Sequence, residues 1–248
     1  MLYDNKVMDL NSNCKNNNDF KIACELSEKK LTHDEMIEML KTGNVPQKQY
    51  AALNLDIIQN KEEGKILVSN LTGCDGKIRE AVALKINQLL TADTAISPFI
   101  YSYPETFANA SVDINANICR LVIDSVGILK NDHEFSKKYS EKILEFISQA
   151  FEEIDKFIFR DKKYIINKQL FKLYWCLESL KLFVNDIPKN TLINILERAS
   201  QEKEYTIREK VAQILTSTND DIFKSLRKKL QQDGNYYVRE AVKNCPHT

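Results

Sequence analysis

Among the 248 residues, few groups are spaced to do covalent or metal chemistry together. Cysteines stand at 14, 24, 74, 119, 176 and 245 with no CxxC pair, and histidines at 33, 133 and 247 with no ligand spacing. Zinc sites and disulfide frameworks need clustered donors, so no metal site is expected and the thiols read as free. The chain has no GxSxG elbow, P-loop or dinucleotide fingerprint, so no catalytic residue or cofactor is assigned.

The remaining candidates are binding groups. SPFIYSYPETF holds Tyr101 and Tyr103 between Pro98 and Pro104. The prolines interrupt regular helix, and the amphipathic rings either anchor a partner or tuck an irregular hairpin onto the core. Trp175, the only tryptophan, lies in QLFKLYWCLESLKLF, which is apolar on two faces. It is either the floor of a groove or part of the core of a helix with neighbours on both sides. KSLRKKL gathers Lys224, Arg227, Lys228 and Lys229, which suits either a phosphate contact or a solvated helix end.

Bulk charge narrows the partners. Lys plus Arg and Asp plus Glu are 35 each, so no global field favours nucleic acid or an anionic membrane. No apolar run approaches the roughly 20 residues of a membrane span, and the N-terminus lacks a basic region followed by an apolar core. A cytoplasmic location is the expectation. With 43% hydrophobic residues, the chain can bury a sizeable core.

The elements that would position these groups are helices. Residues 1–18 end in NSNCKNNND, a polar stretch expected to form a flexible tail before one repeat domain over 19–248. Beyond it, apolar residues recur at helical spacing, punctuated by only six glycines and five prolines. One phrase recurs: KIREAVALKI (77–86), TIREKVAQIL (206–215) and YVREAVKNCP (237–246). Ile78, Val82, Ile86 and Leu89 share one face, as do Ile207, Val211 and Leu215, and Val238, Val242 and Cys245. Looser fits centre on Lys48, on Asn115 and on Asn167. Four residues before the clearer anchors stand Asn44, Asp75, Ser111, Glu204 and Asn235, four of which are good helix N-caps. Partner helices fill the intervals. THDEMIEMLKTG, for example, carries a Thr32/Glu35 capping box and a Gly43 stop. A period of about 30–50 residues belongs to stacked helical repeats, in which each hairpin buries its apolar face only against its neighbours.

Arg79, Arg208 and Arg239 occupy the recurring phrase although the chain has only seven arginines. Such an arginine either packs its stem and meets a nearby carboxylate, or serves a ligand. The pattern of Asp or Asn followed by Val/Ile-Arg-x-x-Ala/Val resembles the second helix of a HEAT-like repeat. It is clearest in CDGKIREAVALKINQLL, KEYTIREKVAQIL and GNYYVREAVKNC and weakest over 92–165. The resemblance implies an all-α fold, a right-handed α-solenoid of about six helical hairpins whose second helices line a concave groove. It also implies a protein-binding scaffold whose contact candidates are Arg120, Trp175, Tyr101, Tyr103, Lys85 and Gln213, with self-association a further possibility. HEAT-like enzymes, either a DNA base-excision glycosylase or a chromophore lyase, form the alternative. Zero net charge and the lack of an alignable Trp, Asp and Arg set argue against the glycosylase.

Overall fold

Helices begin where the chain supplies an acceptor for their unpaired first amides. The computed structural model describes residues 10–158, 163–218 and 220–243, with side chains from residue 18 onward. They group into two compact units, 1–100 and 101–248, where the sequence suggests a single repeat domain over 19–248.

Unit 1 holds α1 (Leu10–Ser27), α2 (His33–Thr42), α3 (Val45–Asn54), α4 (Lys61–Ser69), α5 (Gly76–Ala92) and the single turn α6 (Ser97–Ile100). Thr32 and Glu35 form the expected capping box on α2, Gly43 ends that helix, and Asn44 with Gln47 caps α3 the same way. Asp75 accepts from the amides of Lys77 and Ile78 at the start of α5. Helices α1, α3 and α5 pack side by side, with α2 and α4 as a second layer. The core includes Leu40, Ala51, Leu67, Val82 and Ile86.

Residues 10–18, within the stretch expected as a tail, lie in α1. The Asn-rich stretch contains neither Gly nor Pro, and a helix that packs against α3 through its later turns extends through it. Residues 1–9 lie outside the described residues.

Two glycines in unit 1 have particular jobs. A Cβ on Gly64 would stand 2.2 Å from the Phe99 carbonyl oxygen, so α6 packs directly on the α4 backbone. Gly73 has φ of 154°, a backbone region nearly closed to other residues.

Unit 2 holds α7 (Pro104–Ala110), α8 (Ala116–Leu129), α9 (His133–Ile158), α10 (Lys163–Leu180), α11 (Lys189–Ala199), α12 (Tyr205–Leu215), α13 (Lys224–Gln231) and α14 (Tyr236–Lys243). Helices α8, α10, α12 and α14 form one row of neighbours, backed by α7, α9, α11 and α13. An aromatic chain, Phe107–Phe135–Tyr139–Phe183, with centroids 5.5–5.8 Å apart, runs through the core. The Tyr139 hydroxyl is satisfied by Ser111 at 2.7 Å and Ser179 at 2.9 Å. Ser111 is therefore a buried network member rather than the expected N-cap. The cap of α8 is Asn115, which accepts from the Asn117 amide, four residues later than the expected register. Glu204 makes no side-chain cap bond at α12, whereas Asn235 accepts from the Tyr237 amide at α14. Cys245, expected on the apolar stripe of the last phrase, lies outside the described residues.

Candidate partner-binding face

The recurring arginine is a loop clamp. The Nη1 atoms of Arg79, Arg208 and Arg239 donate to backbone carbonyls six residues upstream, on Gly73 at 2.7 Å, Glu202 at 2.8 Å and Asp233 at 2.6 Å. Each guanidinium thus ties the incoming loop to the helix it precedes. In the corrected α8 register the same position is Cys119, whose thiol donates to the Asp113 carbonyl at 3.1 Å, again six residues back. Burial pushes the Cys119 thiol up to about 12, so it stays protonated as a donor.

Arg208 does more. Its Nε and Nη2 grip the Asp233 carboxylate at 2.7 and 3.0 Å, a bidentate pair joining one loop to the next. The hydrogen bonds from Arg208 hold the Asp233 carboxyl below its ordinary value. The second anchor of unit 1, Lys48, reaches Asn70 Oδ1 at 2.9 Å, and Asn70 donates in turn to the carbonyls of Leu40 and Ile66.

With the phrase accounted for as structure, the open side chains of the same helices become informative. Tyr174, Tyr205 and Tyr236 follow a 31-residue step, and so do Glu178, Glu209 and Glu240. Each Tyr–Glu pair is spaced i,i+4 and shares a helix face. The first rung is closed: Lys210 bonds Glu178, lies 4.7 Å from the centre of the Tyr174 ring and donates to Gln213 Oε1 at 3.0 Å. Burial would lower the Lys210 ammonium, but the Glu178 carboxylate outweighs it and the pKa is raised. In the later rungs Tyr237 stacks on Tyr205 at 6.1 Å and 27° and meets Tyr236 edge-on. Tyr236 and Tyr237 stand 59% and 58% exposed. A recess of about 320 Å³ opens between α12 and α14 beside Glu209, Gln213, Tyr237 and Glu240.

The expected contact residues divide accordingly. Gln213 lines the recess between α12 and α14. Arg120 is exposed on α8, near Asn117 Oδ1 at 3.3 Å. Trp175 is 7% exposed and packs with Cys119 and Ile123, so it is core rather than groove floor. A central helix of the row buries a large ring between its neighbours. Its exposed companion is Phe171, 38% exposed and edge-on at 6.2 Å. Tyr101 and Tyr103 are half-buried, and Tyr101 borders a cavity of about 150 Å³ with Phe135 and Lys138. Lys85, in unit 1, is 9% exposed; burial lowers its pKa while Asp56 acts oppositely. In the basic run Arg227 is buried and bonds the carbonyls of Thr218 and Asp220, Lys229 reaches Ser200 Oγ at 3.0 Å, and Lys224 and Lys228 are exposed.

Among the described residues no group of three or more His, Cys, Asp or Glu is placed to hold a metal ion, and no helix is long and apolar enough to cross a membrane. The Tyr–Glu step runs through YWCLE, YTIRE and YYVRE, and in the last two it overlaps the recurring arginine phrase.

No family model and no curated protein matches the chain. Solved structures do. An engineered protein from the Northeast Structural Genomics Consortium aligns with a TM-score of 0.51 at 12% identity, over 87% of this chain and 97% of its own. The chain has a helical-repeat, all-α solenoid fold. A second engineered protein from the same consortium aligns with a TM-score of 0.46 at 11% identity, over 87% and 95% of the two chains. A designed armadillo repeat protein gives 0.43 at 12% identity, over 85% and 96%.

Proposed function

We propose that the protein is a non-catalytic scaffold of HEAT-like repeats that binds a protein segment across the exposed faces of α10, α12 and α14. The observation that carries this reading is the Tyr–Glu ladder. It repeats a tyrosine and a carboxylate at a fixed step along α10, α12 and α14, with the Tyr236 and Tyr237 rings of α14 exposed, and exposed aromatic side chains are favoured anchors in protein interfaces. The repeat phrase, by contrast, spends its arginines on the protein's own loops. The row mixes both charge signs, which suits a protein segment better than a uniformly anionic polymer. The exposed free thiols of Cys24 and Cys74 fit a reducing, cytoplasmic setting.

The test is selection of binding segments from a displayed library of random peptides on the immobilised protein. Phe171→Ala and Tyr237→Ala run in parallel. The reading expects segments that bind the parent chain and lose affinity on at least one variant of unchanged circular dichroism. Retention of no segment, or equal retention by both variants, contradicts it.

A further inference from the structure

This inference rests on the binding reading above and assigns the chemistry of one contact. In the first rung an ammonium group is already seated: Lys210 lies over the Tyr174 ring and is bonded to Glu178 and Gln213. The 31-residue step that carries Tyr174 to Tyr205 and Glu178 to Glu209 carries Lys210 to Ala241. Ala241 lines the recess of about 320 Å³ between α12 and α14, together with Glu209, Gln213, Tyr237, Glu240 and Lys181. One period after Lys210 the chain thus carries a methyl group beside a recess whose aromatic lining is Tyr237 rather than Tyr205.

Its lining suits a cation. Its lining holds the carboxylates of Glu209 and Glu240 and the ammonium of Lys181; Glu209 accepts from Gln213 Nε2 at 3.3 Å, and Tyr237, stacked on Tyr205, supplies an exposed aromatic ring. Elsewhere the chain seats its own cations on such rings, with Lys172 at 4.1 Å from the Phe146 centroid and Arg198 at 5.1 Å from that of Phe151. Among the described residues no cation lies over Tyr205, Tyr236 or Tyr237. Glu240 is paired with Lys243, but that i,i+3 contact is largely solvent-exposed, a type of pair that is weak and readily exchanged.

We infer that the recess between α12 and α14 is a vacant lysine seat, which takes a cationic side chain from the bound protein segment. The carboxylate of Glu209 would pair with the incoming charge as Glu178 pairs with Lys210, and Tyr237 would offer its ring.

The test is an amide NMR titration with Nα-acetyl-lysine methylamide, with the Nζ-acetylated compound as the neutral control. Saturable shifts are expected at Glu209, Gln213 and Ala241 with the charged probe only. They should vanish in Ala241→Lys, which refills the seat from within, and weaken several-fold in Glu209→Gln, which keeps the shape and removes the charge. Shifts that are absent, spread over unrelated surface carboxylates, or unchanged in folded Ala241→Lys overturn the seat. If Ala241→Lys does not fold, unchanged shifts in Glu209→Gln have the same force. The small probe reports on the seat alone. Its failure leaves segment selection intact, and failure of selection leaves a positive titration intact.

Discussion

The Tyr174 and Tyr205 rungs of unit 2 share a tyrosine and a glutamate four residues apart, yet one is closed and the other open. Around Tyr174 the ring packs edge-on to buried Trp175 at 5.1 Å and is covered by Lys210. Around Tyr205 the cover is Tyr237, itself more than half exposed, and the lysine position is Ala241. The residue one helix further along explains the difference. Lys210 on α12 covers the Tyr174 ring and bonds Glu178, whereas α14 places Ala241 at the same step, beside the recess between α12 and α14. One copy of the repeat is thus packed closed, while the next leaves a recess open to solvent.

The most damaging way to break this contrast is Trp175→Ala, which removes the floor of the closed rung. It should cost about 3–5 kcal/mol, as loss of a large buried aromatic does, seen as a lower midpoint in urea denaturation.

Arg208→Ala comes next, at about 2–3 kcal/mol, because it leaves Asp233 partly buried and without its partner. The effect should depend on pH. The folded Asp233 carboxyl is held below its ordinary value by Arg208, so its contribution is complete above the unfolded pKa of about 4 and is lost as pH falls through the folded value. Parent and variant should thus converge in stability as the solution is acidified below about pH 4.

Lys210→Ala makes the closed rung resemble the open one. Loss of a partly exposed pair should cost about 1 kcal/mol, and the charged lysine probe should now also shift Glu178, raising the stoichiometry from one site to two. The smallest stability effect belongs to Tyr237→Ala, expected within about 0.5 kcal/mol of the parent because the ring is exposed, while segment binding falls.

Much of the fold was legible because its signals are local. The Thr32/Glu35 box, the Asn44 and Asp75 caps and the stripes Ile207–Val211–Leu215 and Val238–Val242 depend on residues a turn apart. The α8 register was not legible, because a thiol at 119 does the work of an arginine and only the shared carbonyl six residues upstream reveals the equivalence. The first turns of α1 carry no local signal, because composition alone cannot show that a polar stretch joins a helix packed against α3. Two apolar faces around Trp175 favour a buried helix but also fit a groove floor; the packing of Cys119 and Ile123 on it decides for the core. The open rung needed comparison across repeats, where Ala241 matters only because Lys210 stands one period earlier.

The central claim is that the open rung binds a partner segment while the closed rung and the arginine clamps hold the fold. The most direct measurement takes the tightest segment selected on the parent chain and determines its affinity for the double variant Glu209→Gln, Tyr237→Ala. The account predicts a loss of about tenfold or more, near 1.4 kcal/mol, with the thermal midpoint almost unmoved. Unchanged affinity in a folded double variant would contradict it and move the binding surface away from the α12–α14 junction.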